Sequence, residues 1–298
     1  MVSSSASSEA AARALSPPRR RNSAFLRAMR RNPLGIVGLV IIVFVALVAL
    51  CAPLIAPYGP TEQVARRLEV PGAAYLLGTD EFGRDILSRV IYGSRISLYV
   101  GFVAVGLALV AGGTFGMVAG YFGGRIDTLL MRVVDILFAI PSLVLAIVIA
   151  GLLGPSLTNA MIAIGIVYAP IYARLVRGEV LAVRNHLYIE SARATGVSDL
   201  GLIGRHILPN ITAPLIVQTT LMLSTAILAE AALSFLGLGT QPPEPSWGTM
   251  LGSGRRYMEL TPWVAIAPGI AIAITVLGFN LLGDGLRDAL DPRLRGSE

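Results

Sequence analysis

Long apolar stretches alternate with short polar segments along most of this chain. Residues 34–56 are uncharged, and residues 136–173 run for 38 residues without a charge. As one helix the second stretch would extend about 57 Å, nearly twice the roughly 30 Å hydrocarbon core of a bilayer. The turn-forming residues Gly154-Pro155-Ser156 are therefore predicted to divide it into two helices.

This pattern predicts an all-α membrane protein with six transmembrane helices. Because the count is even, both termini are expected on the same side of the membrane. The first apolar segment is longer than the roughly 7 to 15 residues of a signal-peptide core, so we expect it to be retained as a span. The predicted spans are residues 34–56, 96–124, 136–153, 160–175, 210–235 and 260–283.

The composition agrees with a membrane location and excludes several functions. Apolar residues make up 54% of the chain and charged residues only 14%, with a mean hydropathy of +0.71. All 24 basic residues are arginines, so the chain lacks the lysine that a phosphate-binding loop or a Schiff-base enzyme requires. If this protein uses ATP, another subunit must hydrolyse it.

The sequence also lacks the common catalytic patterns. Its two histidines, His186 and His206, lie in one polar segment without the His-Glu-x-x-His spacing of a metalloprotease. Paired intramembrane carboxylates and a Ser–His set are likewise missing, and Cys51, as the single cysteine, can form no internal disulfide. We therefore expect a non-catalytic protein with no metal site and no cofactor of its own.

The arginines are distributed unequally between the two sides of the predicted topology. Segments on the side of the N-terminus hold 17 arginines and the other side holds seven. The positive-inside rule therefore predicts that both termini are cytoplasmic. Residues 1–33 are predicted as a disordered basic N-terminus, 57–95 as an extracytoplasmic segment and 285–298 as a cytoplasmic tail. Because the arginines are scattered between apolar spans, the net charge of +6 does not indicate nucleic-acid binding.

Residues 184–209, called the elbow segment below, contain two short helical patterns. Gly196 is predicted to end the first helix, because glycine accepts the left-handed conformation of a C-terminal cap. Ser198 is predicted to cap the second helix, and Asp199 suits its positive N-terminus. The positions that recur on one face are Tyr188, Ala192 and Thr195 in the first helix, and Leu200, Ile203 and Ile207 in the second.

The elbow segment resembles the EAA loop of the membrane-spanning subunits of bacterial ABC importers. That loop reads Glu-Ala-Ala, three residues, Gly, nine residues, then Ile-x-Leu-Pro. The matching residues are Glu190, Ala192, Gly196 and Pro209, and the departures are Ser191 at the first alanine and His206 at the isoleucine. The resemblance implies that ATPase coupling involves Glu190, Ser191, Ala192, Gly196, Ser198, Asp199, Leu200 and Pro209.

A second motif, LGTDEFGRD at 77–85, closely resembles a segment of the second, "C", permease of dipeptide and oligopeptide importers. Its composition predicts a folded turn with Asp–Arg pairing, followed by an interfacial helix whose Ile86, Val90 and Ile91 face lipid. Two interpretations stay open: a contact with a substrate-binding protein or sister permease, or a structural turn. The candidate contact residues are Asp80, Arg84, Asp85 and, from the proline-rich outer loop 239–258, Trp247.

Polar residues inside or beside the apolar spans are the remaining candidates. A charge at mid-bilayer costs about 2.5 to 3.5 kcal/mol on insertion scales, so such residues are usually paired or functional. Asp135 is expected to pair with Arg132, three residues earlier on the same helix. Glu230 has no local partner, and it either bonds a neighbouring helix or lines a pathway. The candidate pathway or gate residues are Tyr168, Tyr172, Glu230 and Asn280.

The resemblance implies an ABC transmembrane type-1 importer fold with cytoplasmic coupling helices, in which residues 96–284 form the core. It further implies a bacterial cell membrane location, a B-type sister permease, two ATP-binding cassette subunits that carry ATP and magnesium, and an extracytoplasmic peptide-binding protein. The expected function is that of a peptide-importer permease. The alternatives are a permease for nickel or another small solute and, in a different class, a single-chain secondary transporter, although the sequence shows no internal repeat.

Overall fold

The computed structural model describes residues 32–290, and helices make up most of this part of the chain. The helices are α1 (Pro33–Ile55), α2 (Ile86–Phe122), α3 (Gly124–Phe138), α4 (Ser142–Leu153), α5 (Leu157–Arg184), α6 (Leu187–Ala194), α7 (Asp199–Gly201), α8 (Leu208–Phe235), α9 (Trp247–Gly254) and α10 (Trp263–Leu290). A π-helical turn, Leu202–Ile207, joins α7 to α8 without interruption, and a 3₁₀ turn, Arg255–Tyr257, follows α9. The predicted N-terminal segment lies almost wholly outside the described residues, as does most of the predicted C-terminal tail.

Within residues 32–290, five helical stretches are long and apolar enough to cross a membrane, and the bent pair α3–α4 adds a sixth if it counts as one span. The predicted span over 136–153 is broken, because α3 and α4 meet at 90°. Pro141 stands at this break, where proline cannot donate the next helical hydrogen bond and disfavours helical geometry in the residue before it. Helix α4 alone is about 18 Å long, too short to cross. The predicted turn at Gly154-Pro155-Ser156 is confirmed between α4 and α5.

The expected interfacial helix is not separate from the second span, because both belong to helix α2. The chain is helical without a break over the 37 residues Ile86–Phe122, because Asp85 caps the first turn and no proline interrupts it. Ile86 is only 1% exposed and packs with Met250 and Val264, so it faces the protein interior and not lipid. The interfacial residues are therefore the first turns of the second span.

Helices α2 and α5 form the tightest pair in the bundle and run parallel. A Cβ atom at Gly112 would collide with the backbone of Ala169, and one at Gly120 would lie 2.8 Å from Cβ of Val180. Such small residues let the two backbones approach closely, as in other membrane bundles. Because later positions of α2 meet later positions of α5, the two helices begin at one end of the bundle and finish at the other.

The remaining spans complete an alternating bundle. Helix α1 runs antiparallel to α10, since Asn32 at its start donates a hydrogen bond of 2.8 Å to Asp288 near the end of α10. We call the end that holds the elbow segment, Asn32 and Asp288 the elbow end, and the opposite end, where α2 begins, the distal end. The largest buried apolar cluster lies between them and joins α2, α5 and α8.

Candidate functional site

The elbow segment has the predicted shape of two helical arms joined at Gly196. The first arm is α6 (Leu187–Ala194), and the second arm is α7 together with the π-helical turn (Asp199–Gly201 and Leu202–Ile207). Helix α6 ends at Ala194, and Gly196 follows with φ of +85°, a conformation that side chains other than glycine rarely adopt. Ser198 then caps the second arm, because its hydroxyl accepts a hydrogen bond of 3.3 Å from the amide of Gly201. The predicted break and the predicted cap are both confirmed.

The buried face of the elbow segment does not include the recurring positions Tyr188 and Leu200. Ile189, Leu202 and Ile207 are buried between the arms and the ends of the long helices. Leu200 is 83% exposed and Tyr188 is also exposed, so both face outward, and for Leu200 this agrees with a coupling role. In the second arm, the i to i+5 bonding of the π-helical turn places Leu202 and Ile207, which are five residues apart, on the buried side.

The outer surface of the elbow segment combines apolar and charged groups. Leu187 is 80% exposed, and with Leu200 it presents one large aliphatic side chain on each arm. Glu190 and Ser191 are exposed between them, and the Ser191 hydroxyl donates to the carbonyl of Leu187 at 2.9 Å. Pro209 stands in the first turn of α8, where proline is compatible with a helix. A protruding surface of this kind is typical of a docking site for another protein.

A residue that the sequence analysis did not single out holds the elbow segment to the bundle. Tyr121, in the last turn of α2, is buried and donates a hydrogen bond of 2.5 Å to the Oδ1 atom of Asp199. Arg184, at the end of α5, donates to the carbonyls of Gly120 at 2.7 Å and Tyr121 at 3.2 Å. The sequence held only a weak signal for this role of Tyr121, namely a polar aromatic residue shortly before the Gly123-Gly124 pair that ends an apolar run.

At the distal end, the predicted Asp–Arg pairing is confirmed and extends further than expected. The Oδ2 atom of Asp80 lies 2.6 Å from Nε of Arg84 and 3.3 Å from Nε of Arg89. Its Oδ1 atom accepts hydrogen bonds from the backbone amides of Phe82 and Arg84. Arg89 also donates to the carbonyl of Pro60 at 2.6 Å. This cluster fixes the segment before α2 against that helix.

The proposed outer contact residues are buried inside the chain. Asp80, Arg84, Asp85 and Trp247 all have little exposed surface. Asp85 caps α2 by accepting from the amide of Ser88 at 2.8 Å, and the Trp247 indole donates to a carbonyl of α2 at 2.9 Å. In this conformation these four side chains cannot form a contact surface, so the expectation is wrong for them and the structural interpretation holds.

Glu230 connects three elements at the distal end. It is fully buried, and its carboxylate accepts hydrogen bonds from Ser234 at 2.7 Å and from Ser97 of α2 at 3.2 Å. The Ser234 hydroxyl in turn accepts a hydrogen bond of 3.1 Å from the amide of Thr240, in the outer loop. Of the two interpretations of Glu230, this geometry supports the bond to a neighbouring helix.

The other candidate pathway residues form bonds with the middle of α8. The Tyr172 hydroxyl donates to Thr219 at 3.1 Å, and the Tyr168 hydroxyl donates to the carbonyl of Thr225 at 3.3 Å. Asn280 of α10 accepts from Ser224 at 2.7 Å. Both tyrosines are buried between helices, so neither faces an open channel in this conformation. Their role at a pathway or gate stays a prediction.

The carboxylates of α3 pair with α5 and not within their own helix. Asp135 lies 2.7 Å from Arg174, so the expected pair with Arg132 is wrong. Asp127 forms a bidentate ion pair with Arg177, in which Nε and Nη2 of Arg177 donate hydrogen bonds of 2.5 and 2.6 Å to the two carboxylate oxygens. Spacing along one helix could not reveal these partners, because they lie about 40 to 50 residues away in sequence.

Comparison with known protein families identifies the relationship. Residues 112–296 match the family described as the binding-protein-dependent transport system inner membrane component. The chain belongs to this family. Residues 23–71 of this permease match a second description, the N-terminal TM domain of oligopeptide transport permease C, which covers the first span. The resemblance stated from the elbow and distal motifs is thereby confirmed.

Curated relatives of the permease match over nearly their whole length. The dipeptide transport system permease protein DppC of Alkalihalophilus pseudofirmus is 51% identical over 271 residues, which cover 90% of this chain and 89% of that protein. The probable D,D-dipeptide transport system permease protein DdpC of Escherichia coli is 45% identical, with 91% of each chain covered. The glutathione transport system permease protein GsiD of Pectobacterium atrosepticum is 43% identical, with 90% of each covered.

A solved structure shows the same fold. An inward-facing MetNI methionine ABC transporter chain superposes on the permease with a TM-score of 0.56 and 21% sequence identity. The match covers 69% of this chain and 98% of that chain. The predicted type-1 importer fold is therefore confirmed.

Proposed function

We propose that this permease is one of two membrane subunits of an ATP-driven importer for dipeptides or oligopeptides. The observation that carries the proposal is the elbow segment, whose two arms protrude from the bundle with exposed Leu187 and Leu200 while Ile189 and Leu202 anchor them. This arrangement suits a soluble partner that pushes on the arms and thereby moves the long helices. The curated relatives carry names for dipeptide, D,D-dipeptide and glutathione transport, which supports a peptide over nickel as the solute.

The partners follow from this assignment. A B-type sister permease completes the translocation pathway, and two ATP-binding cassette subunits bind ATP with magnesium and dock on the elbow segment. An extracytoplasmic peptide-binding protein delivers the solute at the distal end. The permease itself is non-catalytic, with both termini and the elbow segment in the cytoplasm, as the arginine distribution indicates.

Transport by the assembled complex tests the proposal. The permease is purified from native membranes with its partners, which are identified by mass, and the complex is reconstituted in liposomes with the binding protein. We expect ATP-dependent accumulation of a labelled dipeptide and none from liposomes that hold the permease alone. Accumulation by the isolated chain would favour a secondary transporter, and ATP-dependent uptake of nickel without uptake of peptide would favour the small-solute alternative.

The orientation has its own test. A Leu200→Cys substitution in a Cys51→Ala background places one thiol on the exposed surface of the elbow segment. We expect a membrane-impermeant maleimide to label it in inside-out vesicles and not in intact spheroplasts. Labelling of spheroplasts from the outside would overturn the proposed orientation.

A further inference from the structure

One tyrosine hydroxyl at the elbow end contacts both arms of the elbow segment. The Tyr121 hydroxyl donates to Asp199, the first residue of the second arm, at 2.5 Å. It also accepts a hydrogen bond of 3.4 Å from Nη2 of Arg193, which lies in the first arm. Since Gly196 separates Arg193 from Asp199, the hydroxyl bridges the joint at which the chain turns.

The ring of Tyr121 is also anchored to the bundle. It is buried in an apolar cluster with Ile189 of the first arm, Leu202 of the π-helical turn and Val180 of α5. The guanidinium of Arg193 lies 5.8 Å from the ring centre, within the range of a cation–π contact. The side chain therefore fixes the angle between the arms and ties that angle to α2.

Helix α2 extends from this contact to the distal end. It is continuous from Tyr121 back to Asp85, which caps it beside the Asp80 cluster. The same helix accepts the Trp247 indole bond and supplies Ser97 to Glu230. If the elbow segment moves and Tyr121 moves with it, α2 is displaced, and α2 is the helix that Trp247 and Glu230 contact at the distal end.

We propose that Tyr121 is a positioning residue that couples movement of the elbow segment to helix α2, an inference that rests on the proposed function of the permease. Helix α5 enters the elbow segment directly through the chain, whereas α2 has no covalent connection to it nearby. Arg184 bonds the last carbonyls of α2 to the start of the elbow segment, and the hydroxyl of Tyr121 links α2 to the two arms, with one hydrogen bond to each. Coupling then requires that these two bonds differ between the two transport states.

The test is Tyr121→Phe in the complete reconstituted transporter. This change removes the hydroxyl and retains the buried ring, so the complex is expected to assemble. Uptake of labelled L-alanyl-L-alanine and ATP hydrolysis are measured together, and the ratio of peptide transported to ATP hydrolysed is the readout. Because hydrogen bonds to charged groups are lost, we expect this ratio to fall about ten-fold. Loss of stability alone would lower transport and hydrolysis in proportion and leave the ratio unchanged.

Two further variants make the result decisive. Tyr99→Phe is the matched control on the same helix, because Tyr99 is 54% exposed and its hydroxyl has no hydrogen bond within residues 32–290. Its ratio is expected to stay at the wild-type value. Asp199→Ala should lower the ratio, and the double variant with Tyr121→Phe should lower it no further than the larger single effect, since both changes remove the same bond between Tyr121 and Asp199.

The possible results separate the two proposals. If Tyr121→Phe takes up peptide at the wild-type rate and keeps the wild-type ratio of peptide transported to ATP hydrolysed, the proposed role of Tyr121 is overturned. The importer assignment is then unaffected. Independent, multiplying effects of Asp199→Ala and Tyr121→Phe would also overturn it. If the wild-type complex hydrolyses ATP without transporting peptide, the proposed function fails, and the inference about Tyr121 fails with it.

Discussion

The two ends of this permease are held together in different ways. At the distal end, the charged groups Asp80, Arg89 and Glu230 are buried and joined to several elements at once. At the elbow end, most polar residues of the elbow segment are exposed, and Tyr121 supplies the interhelical side-chain bonds to its two arms.

This difference has a direct energetic meaning. Removing one partner from a buried charged cluster leaves an uncompensated charge, whereas exposed ion pairs contribute little to stability. The distal end is therefore built to keep one arrangement. The elbow end depends on a few bonds that can be exchanged at low cost, which suits the proposed movement of the elbow segment.

The strongest test of this difference is Asp80→Ala. This change leaves Arg84 and Arg89 buried without their carboxylate, so we expect the free energy of unfolding to fall by about 3 to 5 kcal/mol. The measurement is denaturant unfolding of the purified complex in detergent. Glu62→Ala is the control, since Glu62 is an exposed carboxylate of the same segment and its loss should change stability very little. Equal effects of the two substitutions would contradict a rigid distal cluster.

A smaller effect is expected from Glu230→Ala. The hydroxyls of Ser97 and Ser234 would lose a buried acceptor, which costs about 1 to 3 kcal/mol. The loss should be local, so hydrogen exchange should rise in residues 239–254 more than in the elbow segment. Glu244→Ala, at an exposed position of the same outer loop, should leave exchange unchanged. Faster exchange across the whole chain would argue against a local role.

The smallest effect on stability and the most selective effect on transport are expected from Gly196→Ala. A side chain at φ of +85° costs about 1 to 2 kcal/mol, and the strain is confined to an exposed joint. Membrane insertion should be normal, while peptide uptake is lost and the ATPase subunits dissociate more readily during purification. Gly204→Ala is the matched control, because a Cβ there meets no atom within 4 Å and φ is not positive. Normal uptake by Gly196→Ala would contradict the role of the elbow segment.

The comparison of the two ends also shows what could be predicted from sequence. The elbow joint was predictable because glycine at 196 and serine at 198 act within a few residues of their own positions. The pairing of Asp80 with Arg84 was predictable for the same reason, since four residues separate them. In contrast, sequence patterns left open whether the distal motif is a contact surface or a structural turn, because burial of its polar residues depends on α2 and on the outer loop packing against it.

Rules that use only neighbouring residues were insufficient where a helix is irregular, is bent or begins against other parts of the protein. The burial of both Leu202 and Ile207, five residues apart, depends on the π-helical turn, which a 3.6-residue period cannot represent. The bend between α3 and α4 lies at Pro141, where the sequence predicts a kink but not its size of 90°. Helix α2 begins earlier than hydropathy indicated, because its first turns bury against protein and not lipid.

By itself the sequence determined the membrane-spanning segments, the glycine joint and the family, because hydrophobic length, capping residues and motif spacing are properties of short stretches. Only the tertiary structure decided the partners of Asp135, Tyr121 and Glu230, which lie 39, 78 and 133 residues away along the chain. The physical reason is that buried polar groups must find partners, and in a bundle those partners come from helices that packing brings alongside.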